Sequence, residues 1–243
     1  MRKTLVASLA VLSVVACAAS VMAIGSGKTI EIRKAAAAVV IDGDLKEFAG
    51  ATGAQIGVLK VDGSALEAGA IDDDADWSSM FYGLYDDKNI YLAFDVKDDA
   101  LAGSAAEGNI WQNDGVEIWF DANNDDAEST ETGSVDTDQH QIVVSPILED
   151  EPGKTGHNIY RTQDGADLLD GVKQGTKISA TGWTLEVLIP IAALHADFKA
   201  LKAGQKLGFN ISIVDNDTGD WNHLTWNGTQ HNNPQGFGIM AVK

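Results

Sequence analysis

The strongest constraint on the fold is a repeated pattern of short segments in which apolar and polar residues alternate, separated by clusters of Asp, Asn and Gly. Alternation with a period of two is typical of β-strands with one buried face, and Asp, Asn and Gly favour turns. The clearest case is a predicted hairpin at 82–97, where two alternating segments flank the turn formers of 86–89. By the same pattern, strands are predicted at 30–34, 56–61, 79–85, 90–97, 115–121, 139–147, 176–180, 183–189, 207–214, 223–226 and 237–242.

Helix signals are scarce in comparison. One short helix is predicted at 191–201, because Pro190 is well placed to begin it. No linker rich in Pro, Ser or Gly divides the chain, which has four prolines in all. The sequence therefore predicts one all-β domain at 24–243, an antiparallel β-sandwich of jelly-roll-like form.

The N-terminus has the pattern of an export signal. Arg2 and Lys3 precede an apolar run, which ends in the small-residue site Val21-Met22-Ala23. This pattern predicts a signal peptide at 1–23. A second processing site is open, because Val14-Val15-Ala16-Cys17 has the form of a lipobox, and lipidation of Cys17 would tether the protein to a membrane. Processing at either site predicts an extracytoplasmic protein that is secreted, periplasmic or lipid-anchored.

Charge and cysteine content exclude several classes of function. The formal net charge is −19 at pH 7, which makes nucleic acid and anionic membrane surfaces poor partners. Cys17 is the single cysteine, so a disulfide framework and a cysteine-based metal site are excluded. Stability must therefore come from a core, and bound cations are an open second source.

Residues 109–121, "NIWQNDGVEIWFD", carry an unusual density of Trp and acidic side chains. A period of two sends Val116, Ile118 and Phe120 to the core and leaves the alternate positions on a polar face. Flat aromatic rings together with side chains that form hydrogen bonds are suited to a sugar. The residues predicted to bind such a ligand are Trp111, Glu117, Gln141, Trp226 and Asn227.

Trp111 and Trp226 are predicted to stack on the sugar because each borders a polar loop. Trp183, at the start of "WTLEVLIP", is assigned to the core instead, since Trp is highly buried on average.

Acidic loops offer hard oxygen ligands of the kind that Ca²⁺ prefers. The first candidate is "DANNDD", with Asp121, Asn123, Asp125 and Asp126 as predicted ligands. A second is "DNDTGD", with Asp215, Asp217 and Asp220, whereas the run "DDDAD" at 72–76 is assigned to solvent.

Six segments in order resemble carbohydrate-binding module family 9 over about residues 30–243: "VVIDGDLKEF", "ADWSSMFYGLYDDKNIYLAFDVKDD", "IWQNDGVEIWFDANND", "GWTLEVLIPIAAL", "LGFNISIVDND" and "LTW…PQGFGIMAVK". The resemblance implies a β-sandwich with bound calcium, and it favours the ligand set beginning at Asp121. It also implies that Trp111 and Trp226 hold the reducing end of a glucan or xylan chain, with Glu117 as the sugar-binding carboxylate. Where family members linked to xylanases tend to have an arginine, this sequence has Gln141.

Three alternatives remain open. A glycoside hydrolase would need a pair of carboxylates such as Glu117 and Glu186 at a defined separation. Related sandwiches of the DOMON-like superfamily carry haem in periplasmic electron transfer, for which Met80 and Met240 are available. A structural envelope protein that has lost its ligand is the third. No zinc-hydrolase spacing of histidines or nucleophile elbow occurs, so catalysis is the less favoured expectation.

Overall fold

The computed structural model describes residues 27–57, 65–68, 71–124, 139–161, 171–194, 198–217, 222–227 and 236–243. The predicted signal peptide, Cys17 and its membrane anchor, and the ligands Asp125, Asp126 and Asp220 lie outside these residues. No helix of the described residues is long and apolar enough to cross a membrane.

Thirteen strands make up most of the described chain. They are β1 (Thr29–Lys34), β2 (Gly53–Gly57), β3 (Ala65–Ala68), β4 (Trp77–Tyr85), β5 (Asn89–Asp98), β6 (Gly115–Asp121), β7 (Gln139–Leu148), β8 (Glu151–Arg161), β9 (Lys173–Ser179), β10 (Gly182–Pro190), β11 (Lys206–Asp215), β12 (Asn222–Thr225) and β13 (Gly238–Val242). Two 3-10 segments, Leu45–Phe48 and Glu107–Gln112, and the one-turn helix α1 (Ile191–Leu194) complete the described elements.

The strands form two sheets that share β1. Sheet A has the order β8-β7-β6-β11-β13-β1, with β12 also paired to β11 and β3 paired to β12. Sheet B has the order β1-β4-β5-β10-β9, with β2 also paired to β4. Strand β1 pairs in parallel with both β13 and β4, and the other pairings of the described strands are antiparallel. The predicted all-β sandwich is confirmed.

The core lies between the two sheets and is rich in aromatic rings. Phe81 of sheet B lies 6.1 Å from Phe94 and 6.3 Å from Phe209 of sheet A, measured between ring centroids. Val116, Ile118 and Phe120 of β6 are fully buried in this core, as the period of two predicts. The other face of sheet A is consequently set by the odd-numbered positions of β6.

The predicted hairpin is confirmed, because β4 and β5 pair from Trp77↔Asp98 to Tyr85↔Ile90. Strand β8 is missing from the predicted set, because "EPGKTGHNIYR" contains Pro and two Gly residues and no apolar alternation. Its place beside β7 alone explains this composition, since Pro is tolerated on edge strands. Strand β3 was likewise not predicted, and the predicted helix is shorter, ending at Leu194 within the described residues.

Candidate functional site

Sheet A has a polar face on the side opposite the core. The register pairs Glu117 of β6 with Val143 of β7 and Ser212 of β11, and it pairs Trp119 with Gln141 and Asn210. Residues that pair across neighbouring strands point to the same face of a sheet. Strand β12 adds His223 and Thr225 to this face, because they pair with Val214 and Ser212.

The polar face is buried. Glu117 is 2% exposed and Gln141 is 6% exposed, while Ser212 and His223 have no exposed surface. A buried polar side chain is costly unless it forms hydrogen bonds. The sheet therefore holds a row of polar groups that must be satisfied by protein, water or ligand.

Among the described residues, Oε2 of Glu117 and Oγ of Ser212 have no hydrogen-bond partner. They belong to paired residues of adjacent strands. His223 lies next to them, with its Nε2 3.4 Å from Glu117 Oε2. The carboxylate of Glu117 and the hydroxyl of Ser212 lie side by side, and together they match the paired donor and acceptor character of sugar hydroxyls.

Trp111 lies beside the same face. It belongs to the 3-10 segment Glu107–Gln112 and packs against a cluster formed by Ile110, Val143 and Leu148. Val143 is the residue that pairs with Glu117. The Trp111 side chain is half-buried, so part of it stays accessible. The structure thus brings together Trp111, Glu117 and Gln141, three of the five predicted ligand-binding residues.

Trp226 lies elsewhere, and the prediction that it stacks on a sugar is wrong for this structure. Its side chain is 1% exposed and belongs to the main core. Its ring meets Phe81 edge-on at 5.3 Å and Phe209 at 6.0 Å. The cause is strand parity, because Leu224 also faces the core and Trp226 follows two residues later. The bare Cα of Gly238 is required here, since a Cβ would approach the Trp226 ring to 2.7 Å.

Asn227 is a structural clamp, which contradicts its predicted role in ligand binding. Its Oδ1 accepts the N–H of Lys28 at 2.8 Å, and its Nδ2 donates to the carbonyl of Gly236 at 2.7 Å. Its backbone N–H and C=O both bond the side chain of Asn210. The side chain therefore joins the segment before β1 to the segment before β13, with its polar atoms already engaged.

Gln141 of β7 pairs with Arg161 of the edge strand β8 in the backbone register.

The first predicted calcium loop is described only in part. Asp121 is buried, and its Oδ1 accepts the N–H of Asn124 at 2.9 Å, which closes a turn. Asn123 is exposed. Calcium binding by Asp121, Asn123, Asp125 and Asp126 stays a prediction.

A denser acidic cluster lies at one end of the sandwich, where both sheets contribute. Asp76 precedes β4, Asp98 ends β5, Asp114 precedes β6, Asp215 ends β11 and Asp217 follows it. Two groups of three are close enough to hold a metal ion: Asp76, Asp215 and Asp217, and Asp98, Asp114 and Asp217. Asp215 and Asp217 belong to the second predicted loop, whereas Asp76 belongs to the run at 72–76 that the sequence assigns to solvent and is half-buried in the structure.

Burial makes full ionisation of this acidic cluster unfavourable. Burial, with a smaller contribution from the Asp98 charge, raises the pKa of Asp114 to about 8. Burial and the Asp215 charge raise the pKa of Asp217 to about 7, and burial raises the pKa of Asp215 to about 6. When several carboxyl groups share a desolvated site, ionising all of them costs free energy, because the negative charges repel one another. A bound cation would remove this penalty.

The acidic cluster fits calcium by its donor set. All five side chains offer carboxylate oxygens, which are the ligands that Ca²⁺ takes. Oδ1 of Asp215 and Oδ1 of Asp217 are buried atoms with no hydrogen-bond partner in the part of the chain that the structure describes, and Asp215 as a whole is 1% exposed. Asp114 lies between Trp111 and Glu117 in the sequence, so its place near the polar face could be predicted. The other members of the acidic cluster come from distant segments, so their approach to Asp114 could not.

The candidate pairs of the alternative functions do not converge. Glu117 lies on the polar face of sheet A, whereas Glu186 lies on the outer side of sheet B, where its Oε2 accepts the N–H groups of Asp42 and Gly43. Two stacked sheets are about 10 Å apart, so two groups on their outer sides exceed the separation of a hydrolase pair. Met240 is buried in the core, whereas Met80 pairs with the exposed Asp95 on the outer side of sheet B.

Comparison with known proteins agrees with the fold and the motifs. Over most of its length, two solved structures of a family 9 carbohydrate-binding module from Caldicellulosiruptor kristjanssonii are similar to this chain. The complex with cellotriose has a TM-score of 0.64 at 21% identity, covering 89% of this chain and 94% of the other. The complex with glucose has a TM-score of 0.63 at 20% identity, covering 89% and 96%.

Curated relatives are much longer enzymes. The chain is 27% identical to the exoglucanase XynX of Acetivibrio thermocellus over 65% of its length, and 25% identical to endo-1,4-beta-xylanase A of Thermotoga neapolitana over 84%. It spans 13% and 17% of those proteins.

The sequence profile described as "Carbohydrate family 9 binding domain-like" matches residues 57–243. These residues include β3 to β13 and every residue discussed above as a candidate ligand of a sugar or a metal. The chain therefore belongs to the carbohydrate family 9 binding domain-like family.

Proposed function

We propose that this protein binds an oligosaccharide noncovalently on the polar face of sheet A. Trp111 supplies a flat apolar surface at the edge of this face, and Glu117, Gln141 and Ser212 bond the hydroxyl groups of the sugar. The observation that carries the proposal is the adjacent pair of buried atoms, Glu117 Oε2 and Ser212 Oγ, which have no hydrogen-bond partner among the described residues.

The ligand class is a β-glucan or xylan oligosaccharide. Similar solved structures contain cellotriose and glucose, and the curated relatives are named as glucan- and xylan-active enzymes. Each hydrogen bond contributes a net of about 0.5–1.5 kcal/mol, so several must act together to reach even micromolar affinity. The described residues supply binding groups without a converging acid and nucleophile, so binding rather than hydrolysis is proposed.

We further propose that structural calcium in the acidic cluster supports this site. The five carboxylates hold both sheets at the end next to Trp111, and a cation bound by the native state alone stabilises it by mass action. The protein acts outside the cytoplasm in this proposal, as the predicted signal at 1–23 and a polymeric ligand require.

The test is calorimetric titration with cellotriose and xylotriose for the wild type, Glu117→Gln and Glu186→Gln. Glu117→Gln is expected to lower affinity about tenfold or more, equivalent to 1.4 kcal/mol or more, because a charged acceptor is lost. Glu186→Gln is the matched control, since Glu186 is a buried glutamate of the opposite sheet. Equal affinity in all three proteins, or no binding by the wild type to either sugar, would refute the proposed site.

A further inference from the structure

A cleft lies on the outer side of sheet B, the face opposite the core. It has a volume of about 600 Å³, and residues 43–45, 95–97, 177–179 and 181–184 line it. Sites that hold small molecules typically have volumes of about 300–1,000 Å³. The cleft is separate from the proposed sugar site, because the two sheets lie between it and the polar face of sheet A.

Two rows of residues form the floor of the cleft. In the first row, Asp95 of β5 pairs with Thr184 of β10, and Thr184 pairs with Lys177 of β9. Residues paired in this way point to the same face of a sheet. Phe94 and Leu185, next to them in sequence, are buried in the core. Successive side chains of a strand point to opposite faces, so this row faces away from the core.

The second row has a gap at its centre. Lys97 of β5 and Ser179 of β9 both pair with Gly182 of β10, which has no side chain. Gly182 has a φ of +132°, and a Cβ at this position would lie 2.0 Å from the carbonyl oxygen of Val96. Any other residue would therefore be strained here, and the floor stays open between Lys97 and Ser179.

The segment 43–45 forms a wall of the cleft and is fixed to the sheet. The hydroxyl of Thr184 donates to the carbonyl of Gly43 at 2.6 Å. Lys177 forms an ion pair with Asp44, with 3.5 Å between Nζ and Oδ2. The cleft is therefore formed before a ligand binds, which lowers the free-energy cost of ordering the protein on binding.

The charges in the cleft balance, although the chain as a whole has a formal net charge of −19. The lining contains two carboxylates and two ammonium groups, which belong to Asp44, Asp95, Lys97 and Lys177. An anionic or a cationic ligand would meet as many repelling charges as attracting ones. The cleft therefore favours a neutral ligand.

The hydrogen-bonding groups match a ligand that is rich in hydroxyls. Asp95 and Lys97 are exposed, and the side chain of neither forms a hydrogen bond or an ion pair with another of the described residues. A carboxylate only accepts hydrogen bonds and an ammonium only donates them, whereas a sugar hydroxyl does both. Leu45 and Ile178 add apolar surface to the lining, and Ile178 is 40% exposed. This combination suits the hydroxyls and the C–H groups of a sugar.

Among the described residues that line the cleft, none offers an aromatic surface on which a sugar ring could stack. Trp183 contributes to the lining, but it is 2% exposed and its ring meets Trp77 edge-on in the core. Binding then depends on hydrogen bonds that contribute a net of about 0.5–1.5 kcal/mol each. A short oligosaccharide should be held too weakly to measure by calorimetry, whereas a polysaccharide gains from its many equivalent units.

We propose that the cleft is a second carbohydrate-binding site, which takes a neutral polysaccharide. This rests on the proposed function for the class of ligand, and it adds a site on the opposite face of the sandwich. With both sites occupied, one molecule holds two polysaccharide chains, or two distant stretches of one chain, and bridges them.

The first test is affinity gel electrophoresis, in which a soluble β-glucan or xylan in the gel retards a protein that binds it. The cleft is altered by the pair Asp95→Ala and Lys97→Ala, which removes one charge of each sign and leaves the net charge unchanged. The pair Asp87→Ala and Lys88→Ala is the matched control, because both residues are exposed in the turn between β4 and β5 and lie outside the cleft.

Each pair is also combined with Trp111→Ala and Glu117→Gln, a background that disables the proposed site on sheet A. The background protein should still be retarded, with a dissociation constant about tenfold or more above that of the wild type. The control pair should leave this retardation unchanged, and the pair in the cleft should abolish it. A background protein that is not retarded, or one whose retardation survives the pair in the cleft, would overturn the second site. If the background protein is retarded as strongly as the wild type, the proposed site on sheet A fails, and the effect of the pair in the cleft still decides the second site.

A second measurement tests bridging with the sheet A site intact. Dynamic light scattering follows the size of the particles that form when the protein is mixed with the soluble polysaccharide. The wild type and the control pair should give particles larger than the polysaccharide alone, because each molecule links two chains. The pair in the cleft should give no growth, although its dissociation constant for cellotriose, which also reports correct folding, stays unchanged. No growth with the wild type, or equal growth with the pair in the cleft, would contradict the proposal.

Discussion

The backbone N–H of Asn216 donates to Asp114 Oδ1 at 2.7 Å and joins the end of β11 to the start of β6. The Asn216 side chain also donates to the carbonyl of Gln112, the last residue of the segment that contains Trp111. Asn216 therefore connects Asp114, a member of the acidic cluster, to the segment that carries Trp111. Loss of a cation from the acidic cluster should therefore lower the affinity of the proposed site for sugar.

Chelation is expected to lower both the melting temperature and the sugar affinity. A ligand present at about 100 times its dissociation constant stabilises the native state by about 2.7 kcal/mol, and this is lost when it is removed. Thermal melts and titrations with cellotriose, each with and without a chelator, measure the two effects. Restored calcium should return both values. A melting temperature that does not respond to chelator would contradict the role of calcium.

Trp111→Ala is expected to abolish measurable binding of oligosaccharide while the melting temperature stays nearly unchanged. The reason is that Trp111 is half-buried at the edge of a small cluster and contributes little to the main core. Titration with cellotriose and a thermal melt give the two readings, and Trp111→Phe should keep part of the affinity because it retains an aromatic face. A large loss of stability with retained binding would show that Trp111 serves packing and does not contact the sugar.

Trp226→Ala should show the opposite behaviour. Replacing a buried Trp or Phe by Ala costs about 3–5 kcal/mol, because transfer free energy is lost and a cavity remains. Trp226 packs against Phe81 and Phe209 in the main core, so denaturant unfolding should show a loss of this size. Protein that remains folded should bind cellotriose with nearly normal affinity. Unchanged stability with abolished binding would show that Trp226 contacts the sugar after all.

Asn227→Ala should destabilise the protein by about 2 kcal/mol, because two side-chain hydrogen bonds are lost and their half-buried partners lose an acceptor and a donor. The partners are the N–H of Lys28 and the carbonyl of Gly236. Chemical denaturation measures this loss, and titration of the folded variant should give an unchanged dissociation constant. Weakened binding at unchanged stability would show that Asn227 contacts the ligand.

The fold could be predicted from the sequence because period-two alternation is a local property of the chain. This is why β6 was assigned to the correct faces and the β4–β5 hairpin was found. Strand β8 could not be predicted in this way, because an edge strand does not need that alternation.

The sites were predicted less well because they depend on distant contacts. Trp226 borders a polar loop in sequence, but the parity of β12 turns it toward the core, which composition does not reveal. The acidic cluster joins four segments, and nothing local distinguishes Asp76 from its exposed neighbours Asp72 and Asp73. Trp111 and Glu117 do lie at the polar face, and their positions follow from one strand and the segment just before it.

The buried carboxyl group of Glu186 is expected to make the stability of the protein depend on pH. Burial is the main cause that raises the pKa of Glu186 above its usual 4.5, and the N–H groups of Asp42 and Gly43 oppose the shift. A carboxyl group with a raised pKa in the folded state binds its proton more tightly there than when unfolded, so it contributes stability at acid pH. That contribution is lost as the pH rises from the unfolded pKa through the folded pKa. Glu186→Gln cannot ionise and keeps an acceptor for the two N–H groups, so its stability should fall less than that of the wild type between pH 4.5 and neutrality. Urea unfolding of both proteins across this range is the measurement, and parallel curves, or a steeper fall in the variant, would contradict the assignment.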